Sequence, residues 1–229
     1  MNRPANLRRR SPIAIATAAA VVLVLLGLAY WGYAGYKKRE LQDAVAALAV
    51  EASSRLREAL QVRDSGAEEL ERLEGHFKAL GSATQRLAGF ELWRDPPLSD
   101  AAQQYLDEAH ALLRRQIAVQ RSRDAVLADV TALSGHIHAA RARSSDWIRE
   151  AVALKQQLER DFFDYRLAEG GLQKSFQALP GARQQLAPLL AAVPLIEDRW
   201  LADARARLER TTGQLGRQLE DARKLPVAR

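Results

Sequence analysis

From Ile13 to Tyr36 the chain reads IAIATAAAVVLVLLGLAYWGYAGY, 24 positions without a charged side chain, closed by Arg8, Arg9 and Arg10 on one side and by Lys37, Lys38 and Arg39 on the other. No other stretch restricts the fold as much. As an α-helix rising ~1.5 Å per residue it extends about 36 Å, more than the ~30 Å hydrocarbon core of a bilayer. Its distal end gathers Tyr30, Trp31, Tyr33 and Tyr36, residue types that settle at head-group level. The pattern predicts a short basic tail over 1–12 and a transmembrane helix over 13–36. Arg8, Arg9, Arg10, Tyr30, Trp31, Tyr33, Tyr36, Lys37, Lys38 and Arg39 are the expected membrane-interface residues. A cleavable signal peptide is the competing reading. It is opposed by the aromatic end and by a length beyond the usual 7 to 15 apolar residues of such a leader.

The charge distribution follows the same division. The net charge of +6 and a pI near 9.9 raise nucleic acid as a partner, but positions 1–39 hold seven basic residues and no acidic one. Removing those seven from 34 Lys and Arg leaves 27, against 28 Asp and Glu from Glu40 onward. The body is electrically balanced, so phosphate backbones find no concentrated positive field, and the basic excess suits anionic lipid head groups. Nucleic acid is therefore not an expected partner. A short basic tail is held back by the positive-inside rule, while a long balanced domain crosses largely regardless of charge. The expected arrangement is a cytoplasmic N-terminus and a periplasmic body at a bacterial inner membrane. Within the span, Ala14/Ala18 and Ala16/Ala20 form small-xxx-small pairs that would let two helices approach.

Proline maps the rest. Its eight occurrences leave Ile13–Asp95 and Leu98–Leu179 free of it, and an interior proline costs a helix about 3 kcal/mol, so long helices are expected in both gaps. Apolar residues recur at helical spacing at Leu41, Val45, Leu48, Ala52, Leu56 and Ala59, and Leu70, Leu73, Phe77, Leu80, Thr84 and Leu87 follow a heptad spacing. Helices are predicted at about 37–64, 67–93, 99–143, 146–179, 182–192 and 195–224, with a tail at 226–229. The first continues the span as a stalk, and Asp64-Ser65-Gly66 reads as a kink or a cap. Ser99-Asp100 and Ser144-Ser145-Asp146 read as caps, the latter with Glu150 near a capping-box position. The polar run Gln120 to Asp124 predicts an irregular middle in the third helix, Gly170-Gly171 a bend, and Pro180-Gly181 a turn. The fold class is all-α: an N-terminal transmembrane helix followed by an elongated antiparallel helical bundle or coiled-coil domain over 37–225.

No constellation in the body carries chemistry. There is no cysteine, and no glycine-rich phosphate loop, Gly-x-Ser-x-Gly or His-Glu-x-x-His. His136 and His138 are two apart, ~200° around a helix, and cannot face one ion; Asp107/His110 lacks the partners a di-metal bundle needs. No catalytic residue, metal or cofactor is expected. Trp93, Trp147 and Trp200 are expected to fill the bundle's ends. Asp161-Phe162-Phe163-Asp164-Tyr165 is the most unusual stretch, since neighbouring aromatics cannot all enter one core stripe. Phe162, Phe163 and Tyr165 are the candidate partner-docking patch.

The layout of basic tail, single anchor and heptad-bearing body resembles several families of bitopic envelope proteins. Leu87-Ala88-Gly89-Phe90-Glu91-Leu92-Trp93 is similar over a few positions to a stretch in HemX-like proteins, at a different place in the chain, and no membership follows from it. The expectation from the sequence is a non-catalytic, single-pass scaffold or adaptor of a bacterial envelope complex. Its partners would be lipid and either another envelope protein or a second copy of itself. A ligand-sensing periplasmic bundle is the alternative.

Overall fold

A computed structural model of the chain describes residues 12–61, 66–90, 95–139, 144–190 and 193–224, with side chains described from Val21 onward. All regular structure among these residues is helical: α1 (Pro12–Leu60), α2 (Ala67–Ala88), α3 (Pro96–Ala139), α4 (Ser145–Leu186), one 3-10 turn (Ala187–Leu189) and α5 (Asp198–Lys224). The stalk and the apolar segment are one helix, α1, as the unbroken helical spacing predicts. Among the described residues no helix is long and apolar enough to cross a membrane. Of the predicted span, the side chains of 13–20 lie outside the described residues, as do Ala14, Ala16, Ala18 and Ala20 of the small-residue pairs.

Cross-helix bonds fix the topology. Arg86 Nη2 to Glu51 (2.6 Å) at one end of the pair, and His76 beside Glu58 at the other, make α2 antiparallel to α1. Arg121 to Glu74 (2.6 Å) and the stacked rings of Phe77 and His110 make α3 antiparallel to α2. The α3 helix therefore runs in the direction of α1, which Lys38–Asp95 (3.0 Å) and Ser53–Tyr105 (2.8 Å) confirm. Arg115–Ser175 (2.6 Å) and the His136–Trp147 contacts fold α4 back along α3. Tyr165–Thr212 (2.8 Å) and Arg183–Asp198 (2.7 Å) then fold α5 back along α4. The α3 helix touches all four other α-helices and α1 touches α2, α3 and α5. Five helices surround the core near α1, and three continue past its end at Leu60.

Burial records that taper. Leu98, Ala101, Ala102, Tyr105, Leu106, Ala109, Leu112 and Leu113 are buried almost consecutively, because the first half of α3 has neighbours on several sides. Past Gln120 the buried apolar positions thin to Val126 and Leu133. In α2, Leu73, Leu80 and Leu87 are buried as the heptad predicts, but His76 and Ala83 take the places read for Phe77 and Thr84. The α2 helix is clamped from two sides, α1 and α3, so its buried face is wider than a two-helix seam and is rotated by one residue.

Several local expectations are corrected. The run at Gln120 to Asp124 leaves α3 unbroken, and Gln120 itself is buried. Gly170-Gly171 lies inside α4, where no loop interrupts the helix: Leu172 and the buried Glu169 flank the pair, and packing on α3 outweighs the ~1 kcal/mol per glycine. Pro180 does not turn the chain but lies within α4, where Phe176, Leu179, Ala182 and Leu186 are buried on either side of it. Burying such side chains stabilises by about 1.5–3 kcal/mol each, more in sum than the ~3 kcal/mol proline penalty. The α3 helix starts at Pro96 rather than Ser99, since proline is at ease in a first turn. Ser144 caps α4 by accepting the Trp147 N–H at 3.2 Å, so Glu150 lies outside the capping box. The segment after α4 is not a separate helix over 182–192. Its buried Leu190, Leu195 and Ile196 lead into α5, held by Arg183 Nη1 donating to Ile196 O at 2.9 Å. Asp64, Ser65, Trp93 and the tail at 226–229 lie outside the described residues.

Tyr105 is the polar pin of the five-helix region, fully buried, bonded to Ser53 Oγ and to the Ile196 backbone. Tyr105→Phe keeps the ring and removes both bonds, and is expected to lower unfolding stability by about 1–3 kcal/mol, read as a reduced midpoint in urea at unchanged slope.

Candidate functional site

The predicted site residues fall into two groups, and the structure treats them differently. Every residue from Val21 to Tyr36 except the intermediate Ala34 is exposed; Leu23 retains 70% of its accessible surface and Trp31 79%. The first packed positions are Leu41 and Val45, one turn past the basic cluster. Tyr30, Trp31, Tyr33 and Tyr36 ring the helix immediately ahead of that cluster. Lys37 pairs with Glu40 (2.6 Å) and Lys38 with Asp95 (3.0 Å), while Arg39 is exposed. Arg8, Arg9 and Arg10 lie outside the described residues.

The aromatic patch does not form one surface. Tyr165 is fully buried and its hydroxyl meets Thr212 Oγ1 at 2.8 Å in the α4–α5 seam. Phe162 is half-buried, packs against the core and lies 6.2 Å from the Tyr165 ring. Only Phe163 faces solvent, 62% exposed, beside the exposed Leu167 one turn on. A helix advances ~100° per residue, so 162 and 165 share a face that 163 leaves. The docking candidate reduces to Phe163 with Leu167, bordered by Gln156, Arg160 and Asp164.

The histidines are held by different means. His136 and Trp147 clasp the α3–α4 hairpin reciprocally: His136 Nε2 lies 3.1 Å from Trp147 O, the indole N–H donates to His136 O at 3.2 Å, and the rings stack. Trp147 thus fills the bundle's end, as expected. Trp200 is half-buried beneath Arg57 and Arg199. His138 Nδ1 lies 2.7 Å from Ser134 O and 3.3 Å from Ser134 Oγ. A ring nitrogen that close to a carbonyl carries the proton, so it does not serve as a base toward the serine hydroxyl. His110 stacks on Phe77 at 4.1 Å. His76 is buried, with neither ring nitrogen hydrogen-bonded, and the nearest carboxylate, Glu58, is 3.8 Å away. Burial holds its imidazole below the ordinary value; Glu58 opposes this and Arg55 and Arg72 reinforce it. Among the described residues no group of three or more His, Asp or Glu side chains is placed to hold a metal ion.

Comparison with known proteins finds no family model, curated protein or solved structure that the chain matches.

One polar cluster has no counterpart in the sequence reading. Across the α3–α4 seam the Asp129 carboxyl lies next to that of Asp161, and its buried Oδ2 has no hydrogen-bond partner. Burial, then the adjacent carboxyl of Asp161, push Asp129 up to about 6. Gln157 Nε2 donates to Asp161 Oδ1 at 3.0 Å and fixes its orientation. Burial and a neighbouring carboxyl both disfavour the charged form of Asp129. The signal was Asp129 at helical spacing from Val126 and Leu133, an acid on an apolar stripe. An acid whose folded pKa exceeds the unfolded 3.8 stabilises the fold while protonated and loses that contribution as pH rises through about 6. Asp129→Asn is expected to be more stable than the parent at pH 7 by about 1–3 kcal/mol and equal to it near pH 4, read from denaturation midpoints across that range. His76 acts oppositely: its depressed pKa removes stability as pH falls below 6.5. His76→Gln in the same series separates the two contributions.

Proposed function

We propose that this chain is a non-catalytic, single-pass, membrane-anchored scaffold whose helical body docks envelope proteins on the periplasmic face of a bacterial inner membrane. One observation carries the reading: α1 passes without interruption from a stretch, 21–36, that is exposed except at Ala34 into the packed core. Val21, Val22, Leu23, Val24, Leu25, Leu26 and Leu28 all remain exposed. Leaving seven such side chains in water forgoes on the order of 10 kcal/mol of burial. Monomeric proteins rarely present so large a continuous apolar surface. Lipid covers it without a specific partner, and the uncharged sequence upstream to Ile13 supplies the remaining length. The aromatic ring at 30–36 and the cations at 37–39 then meet the head groups.

The scaffold part of the proposal rests on the body's surface. Its interior polar pairs are tied up in helix packing, whereas Phe163 and Leu167 stand exposed one turn apart on α4. Such a pair of apolar side chains in a polar rim suits a groove or helix of another protein.

The full chain is expected to remain in the membrane pellet after alkaline carbonate washing, and a chain starting at Lys37 to appear in the supernatant. Protease added to spheroplasts is expected to digest the body. A full chain in the wash, or a body protected until the inner membrane is lysed, overturns the anchor or its orientation respectively. A photo-crosslinking residue at Phe163 is expected to capture one dominant protein neighbour, and capture of none overturns the scaffold.

A further inference from the structure

Between α2 and α3, on the side away from α1, lies an open groove of about 400 Å³. That is within the range of small-molecule sites. Its floor is apolar: Phe77 from α2, and Ile117 and Ala118 from α3. The floor is also fixed, because Phe77 stacks on the His110 ring at 4.1 Å and 12°. One end is closed by the 2.6 Å ion pair of Arg121 and Glu74, which uses the charge of that arginine. Lys78 and Arg114 line the groove from its two helices, both exposed, and among the described residues neither makes an ion pair. Burial lowers the His110 imidazole, and the positive charge of Arg114 lowers it further against the opposing Asp107.

We propose that this groove binds a small organic acid, one carboxylate held between Lys78 and Arg114 and an apolar body of about naphthalene size lying on Phe77, Ile117 and Ala118. A guanidinium and an ammonium on facing walls provide charge-assisted donors for a carboxylate, and the floor matches a flat apolar group. The Glu74 carboxylate at the closed end selects for a single negative charge and against polyanions. The ligand comes from solution rather than from a bilayer. His76, adjacent to Phe77, lies beside Glu58, twenty residues and ~30 Å along α1 from Lys38. The site stands independently of the scaffold proposal, and only the choice of solution over bilayer as the ligand's source rests on the anchor.

The test uses the full chain in lipid nanodiscs, with empty discs as the blank, and naphthalene-2-carboxylate as probe. Calorimetry is expected to give saturable one-to-one binding. The uncharged carboxamide is expected to bind about tenfold more weakly, as is the carboxylate to Lys78→Gln/Arg114→Gln. Both replaced side chains are exposed, and an unchanged melting midpoint verifies that the variant is folded. In histidine-labelled protein the His110 resonance is expected to titrate at higher pH in the complex, because the bound anion offsets Arg114. Equal binding of carboxylate and carboxamide, undiminished affinity in the double variant, an unmoved His110 or the absence of saturable binding each overturns the proposal.

Discussion

The α1 helix changes surroundings along its length without changing conformation, and the rest of the molecule is arranged on that continuity. From Val21 to Tyr36 its side chains are exposed except at Ala34; from Leu41 to Leu60 it is one wall of the core. The second half is bound from three directions: α2 through Arg86–Glu51, α3 through Ser53–Tyr105, and α5 through Arg207, which donates to Leu60 O, and Arg57 over the Trp200 ring. The bond to Leu60 O also satisfies a carbonyl that a helix end leaves open.

Packing, rather than intrinsic propensity, decides the difficult positions. The α4 helix carries two adjacent glycines and an interior proline and still runs from Ser145 to Leu186, because α3 offers it a long apolar face. The same logic runs in reverse at the α3–α4 hairpin, where apolar burial is sparse and polar contacts take over. There the His136–Trp147 clasp closes the end and the Asp129–Asp161 pair occupies the seam. The asymmetry follows from helix number, since five helices shield a core that three cannot.

The sequence made the helices and their apolar stripes legible, because hydrophobic spacing is a local property. Leu41, Val45, Leu48, Ala52, Leu56 and Ala59 are all buried, as are Leu73, Leu80 and Leu87. What it left unread depends on neighbours. The Gly170-Gly171 and Pro180 positions look like breaks until α3 is in place. The burial of Tyr165 against Thr212, which removes it from the aromatic patch, is set by α5. The meeting of Asp129 with Asp161 requires the α3–α4 register, and the α2–α3 groove requires two helices at once. No local pattern announces either.

Between Lys37 and Leu60 the sequence contains neither glycine nor proline, and α1 has no joint there. A hinge would let the exposed rod and the bundle swivel independently. Without one, and with Lys38 tied to Asp95, a twist of the rod about its axis arrives at α3 as torque. The 44-residue α3 spans about 66 Å, so a few degrees of tilt at the Asp95 end sweep the hairpin at its other end through several ångströms.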